Sequence, residues 1–105
     1  MEENNQKIQE IQMIEQNMQN VMMQKQSFQF ELSETQAALS ELESAGEEVF
    51  KIVGQLMVKS DKNKIKEELS NKEKLIELRV VSLEKQENSL GENLEKLRSE
   101  VLDKK

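Results

Sequence analysis

A chain of 105 residues, 34% charged and 35% hydrophobic, with three phenylalanines and no Trp, Tyr or Pro, suits long helices sharing a narrow apolar seam and not a globule with a thick core. A net charge of −6 argues against nucleic acid and against an anionic membrane surface, because both are gripped by cation–phosphate contacts. With neither Cys nor His the chain has no disulfide framework and no thiolate or imidazole metal site, and no apolar run approaches the ~20 residues of a bilayer span.

Residues 1–43 read as the first helix. A seven-residue seam runs through Ile11, Met18, Lys25, Leu32 and Leu39 at a, and through Ile14, Val21, Phe28, Thr35 and Leu42 at d. Eight of these ten positions are apolar, sustained long enough to predict a coiled coil. Eleven Asn and Gln residues between Asn4 and Gln26 form a solvated face of that helix, since the apolar period persists through them. The amino terminus, Met1-Glu2-Glu3-Asn4, lacks the pattern of a signal peptide, so a cytoplasmic protein is expected.

Gly46 is placed to close the helix in a left-handed cap. Residues 45–60 then break the helical period: Val49, Phe50, Ile52 and Val53 precede Gly54, and Leu56, Met57 and Val58 follow it. β-branched and aromatic residues crowded around one glycine predict a β-hairpin, because glycine alone takes φ > 0 without a Cβ penalty. Ser60 or Asp61 can cap the helix that follows.

The second helix is expected over 61–105. Leu69, Ile76, Leu83, Leu90 and Leu97 recur every seventh residue at d, with Lys66, Glu73, Val80, Glu87, Leu94 and Val101 at a. Facing residues in the two seams are symmetric about Gly54, so that Leu39 meets Leu69, Leu32 meets Ile76 and Ile11 meets Leu97. Strand pairing can slip by a residue within that scheme. Each arm would extend about 60 Å at ~1.5 Å per residue. The fold class expected is mostly α: a long antiparallel two-helix coiled coil joined by one β-hairpin.

Polar residues interrupt the seam at Lys25, Thr35, Glu73 and Glu87, with Lys25 in reach of Glu84 or Glu87. They either snorkel from a wet seam while fixing its register, or weaken the arm so that it can splay. Leu75, Leu78 and Val81 lie off the seam at helical spacing, which points to contact with another chain. A two-stranded ribbon is marginal alone in water and offers unpaired edges. Val49, Phe50, Ile52, Val53, Gly54, Leu56, Met57 and Val58 therefore belong to an oligomerisation surface, on which hairpins of several chains pair edge to edge into a sheet or barrel. Ile8, Met13, Met22, Met23 and Leu102 are also off the seam; methionine there is either packing filler or an adaptable apolar contact.

No catalytic residue, cofactor or metal site is expected. The glycines form no phosphate cradle, the carboxylates lack calcium-loop spacing, and a two-helix seam has no dry cleft to tune an acid–base pair. An enzyme is not expected.

The stretch Val53-Gly54-Gln55-Leu56-Met57-Val58-Lys59, leading into the charged helix start Lys62-Asn63-Lys64-Ile65-Lys66-Glu67-Glu68-Leu69, resembles the hairpin-to-helix junction of prefoldin, the chaperone of archaea and eukaryotes. One connecting hairpin resembles its β-type subunit, and the likeness in layout covers the whole chain. Phe50 stands where tyrosine is often found. The resemblance implies a hexamer of two α-type and four β-type chains whose hairpins build a β-barrel platform. It implies coiled-coil tips that hold unfolded proteins without ATP for delivery to a group II chaperonin. Client contacts then fall on Ile8, Ile11, Met13, Ile14, Leu94, Leu97, Val101 and Leu102, and chaperonin docking on charged tip residues such as Lys104 and Lys105. The alternative is a structural coiled-coil tether, or a single-client folding cofactor docking through its hairpin.

Overall fold

The computed structural model describes residues 2–103, and Lys104 and Lys105 lie outside the described residues. Helix α1 spans Glu2–Ser44, strands β1 and β2 span Val49–Val53 and Leu56–Ser60, and helix α2 spans Lys62–Asp103. Proline is absent and no glycine precedes Gly46, so nothing in the sequence interrupts α1. The chain divides into two compact units, Met1–Ser27 with Arg79–Lys105, and Phe28–Leu78.

In the first unit the two helical segments run antiparallel, as the order of their cross-links shows. Lys7 Nζ lies 3.3 Å from Glu100, Arg98 2.9 Å from Glu15, and Lys25 3.0 Å from Glu87. The seam between these flanking pairs follows the heptad reading: Ile11, Ile14, Met18 and Val21 are half-buried on α1, while Val80, Leu83 and Leu94 are buried on α2. Lys25 reaches Glu87 and not Glu84, and the pair is mostly shielded from solvent. Its two charges meet without hydrogen-bond alignment, which leaves Glu87 Oε2 shut from water with electrostatic attraction alone.

The second unit carries the hairpin. Here Lys72 Nζ lies 3.4 Å from Glu31, and Leu42 and Ile76 are buried. Thr35, only 4% exposed, is the most enclosed of the buried side chains. Its hydroxyl donates to the Glu31 carbonyl at 2.9 Å, which satisfies the group inside its own helix without a partner across the seam. At the start of α2 the seam departs from the heptad. Lys66 is exposed and Ile65 is half-buried in its place, while Lys62, seven residues before Leu69, stays half-buried in the d register. A straight helix advances 3.6 residues per turn and not 3.5, so the apolar Ile65 is turned inward one position early.

The strands pair antiparallel from Val49↔Ser60 to Val53↔Leu56. The loop is Gly54-Gln55, and the centre of the hairpin falls between these two residues and not on Gly54. Gly54 has φ 61° and no other described residue has positive φ, the arrangement of a type II′ turn, whose twist suits the flanking strands. Asp61 caps α2: its Oδ1 accepts from the Asn63 amide at 3.0 Å, and its carbonyl accepts the first helical bond from Ile65. Gly46 does not take the left-handed conformation expected of it. The α1 terminus closes with a tight Ala45 N–H to Leu42 carbonyl bond of 3.2 Å, and Lys62 Nζ donates to the Ala45 carbonyl at 2.8 Å. A lysine at a helix C-terminus satisfies an orphan carbonyl and the helix dipole together, which removes the need for a glycine cap.

Candidate interaction surfaces

The hairpin alternates side chains across a ribbon with no second layer. Val49 is the exception among the expected oligomerisation residues: it is buried within its own chain, where with Leu42, Ile65 and Leu69 it lines the cavity at the hairpin base. As the first residue of β1 it faces the helix ends and is not available to a partner. Phe50, Ile52, Val53, Leu56, Met57 and Val58 are all exposed, with Ile52 at 71% and Leu56 at 69%. Among the described residues both outer strand edges are also unpaired, since the sheet has two strands. Exposed apolar side chains on a ribbon with two open edges make the site chemically suited to one thing: strand addition backed by apolar burial.

Leu75 and Leu78 on α2 are exposed in the same unit, at the c and f positions read from the heptad. Phe30 on α1 joins them at 68% exposure and escaped the sequence reading, although its f position two residues beyond the seam residue Phe28 was a usable signal. Val81 is exposed in the other unit.

In that other unit Ile8, Met13 and Leu102 are exposed, as are Met22 and Met23. Ile11, Ile14, Leu97 and Val101 are half-buried, so each divides its surface between the seam and solvent. Leu94 is buried in the seam and presents little to a ligand, because an a position of an intact two-helix pair points at the neighbouring helix. On α1 the exposed Met and Ile therefore sit mainly among Gln, Asn and carboxylates. Methionine is flexible and polarizable, so on such a surface it is suited to apolar contacts of varied shape.

Among the described residues no group of three or more acidic side chains is arranged to hold a metal ion, and no helix is long and apolar enough to cross a membrane.

Known proteins share this arrangement. Residues 5–105 match the family described as prefoldin subunit. The prefoldin subunit beta of Thermococcus onnurineus is 43% identical over 89 residues, covering 83% of this chain and 77% of that protein. The prefoldin subunit beta of Pyrobaculum aerophilum is 38% identical over 86 residues, covering 80% and 68%. A crystal structure of the prefoldin beta subunit from Thermococcus strain KS-1 superposes with a TM-score of 0.90 at 36% identity, covering 96% of this chain and 90% of that one.

Proposed function

The chain belongs to the prefoldin subunit family, as a β-type chaperone subunit, and on that premise we propose that it assembles through its hairpin with further copies of itself and an α-type subunit and holds unfolded proteins at its arm tips. The observation that carries the assembly step is the exposure of Ile52, Leu56 and Met57 on a ribbon whose two edges are both open. Burying such side chains contributes about 1.5–3 kcal/mol each, which an isolated hairpin forgoes. A hexamer with four copies of this chain and a barrel platform meets that demand on every edge.

Client capture follows from many weak contacts. Ile8, Met13 and Leu102 offer each unfolded segment a modest apolar grip, and several tips around one cavity multiply it through effective concentration. Such holding needs no ATP. Release needs only a competitor that binds the client better, the role we assign to a group II chaperonin in the cytoplasm. The subunit acts as a holder and not as an enzyme.

Native mass spectrometry of this chain with an α-type partner tests the assembly, with a six-chain species containing four copies expected. Replacing Ile8, Met13 and Leu102 together with Ser, in the intact oligomer, is expected to abolish suppression of client aggregation without nucleotide. Unchanged suppression would refute tip capture, and a single stoichiometric partner in place of broad suppression would support a tether.

A further inference from the structure

The hairpin is held to its helices by very little packing. Among its ten strand residues Val49 alone is buried and Ser60 alone is half-buried. Two lysines supply what packing does not. Lys62, the first residue of α2, donates from Nζ to the Ala45 carbonyl at the end of α1, a partly buried contact of 2.8 Å. These two residues are 17 apart and bracket the whole hairpin, so the bond closes the loop at its base. Glu43, Glu47 and Asp61 line a second cavity together with Lys62, yet the ammonium goes to the carbonyl. From β1 itself, Lys51 Nζ reaches Glu68 Oε2 on α2 at 3.2 Å.

We propose that Lys62, assisted by Lys51, is a positioning clamp that fixes the orientation of the hairpin on its helices before any other subunit arrives. This rests on the reading of the hairpin as a platform element. A ribbon that swings on its two connections must be ordered at the moment of association, and that ordering weakens binding. A ribbon already tied at its base presents its edges in register and avoids that cost. The two ties differ in kind. Lys62 works on a helix terminus, where dipole and carbonyl combine in a shielded place. The Lys51–Glu68 pair is about half exposed on both sides and is screened by salt.

Hydrogen exchange in the full chain, read over the hairpin amides and over distal α2, measures the clamp independently of assembly, and sedimentation of the oligomer measures its consequence. Lys62→Met is expected to speed hairpin exchange at least ~tenfold while distal α2 amides stay unchanged. It is also expected to weaken association by a similar factor, whereas Lys62→Arg, which keeps a donor in place, restores both. Lys51→Glu is expected to loosen the hairpin less, to be rescued by Glu68→Lys, and to lose its effect in ~1 M salt, where the wild-type pair is already screened. Should Lys62→Met lose helicity by circular dichroism, Lys51→Met on the exposed tie carries the same exchange and sedimentation comparison. Wild-type exchange in the variants, or a loosened hairpin that associates as well as before, overturns the clamp. A wild-type chain that never associates overturns the platform reading, and the exchange arm then decides the orientation claim alone.

Discussion

Gly91 and Gly54 are both glycines with open space where a Cβ would sit, yet they answer differently to the same substitution. Gly91 lies inside α2 with ordinary helical φ, so it gives the folded state nothing and costs it backbone entropy. Gly91→Ala is expected to stabilise the chain by about 0.5–1 kcal/mol, read as a higher midpoint in urea. Gly54 takes φ 61°, and Gly54→Ala is expected to destabilise by about 1–2 kcal/mol in the same titration. Gly54 was legible from sequence because a turn between two apolar runs has few other solutions. Gly46 was misread because a free lysine side chain 16 residues further on fills the role that local sequence assigned to the glycine. No local pattern contains that information.

At the scale of elements, the seams were read almost whole because a seven-residue repeat sustained over each helix leaves one face to bury. The departure at Ile65 came where the repeat meets the hairpin and the exact 3.6-residue period outweighs the heptad. Polar seam residues were located correctly, and Glu87 was one of the two partners read for Lys25, but the geometry of their bonding was not foreseeable. Thr35 satisfied itself on its own helix, and Lys25 chose Glu87 without hydrogen-bond alignment. That pair holds a place two apolar side chains would fill. Replacing both, Lys25→Met with Glu87→Met, is expected to raise stability by about 1 kcal/mol, while either change alone lowers it by leaving one shielded charge unpaired. Thermal unfolding of the three variants, followed by circular dichroism, completes the double-mutant cycle.

At the scale of the whole molecule, the outward residues matter more than the enclosed ones. Hairpin exposure was legible, since too many apolar residues were assigned to a ribbon with no layer behind it. The burial of Val49 was not, because it depends on which neighbour the side chain finds and not on its type, whereas Leu94 simply obeys the a position that the heptad assigns it. Ile52→Lys with Leu56→Lys, both at exposed strand positions, is expected to leave helicity intact while sedimentation shows loss of assembly. A wild-type sedimentation profile in that variant would place the subunit interface elsewhere.

Among the described residues no large side chain falls below 2% exposure. Melting an isolated chain therefore uncovers less apolar surface than melting a thick-cored domain of the same length, and its calorimetric heat-capacity step is expected to fall below the ~12–15 cal/mol/K per residue of globular domains. The missing increment should return when the subunits are mixed, and the melting temperature should then climb with protein concentration. For this chain, the warmth at which it fails is set by how many neighbours it has.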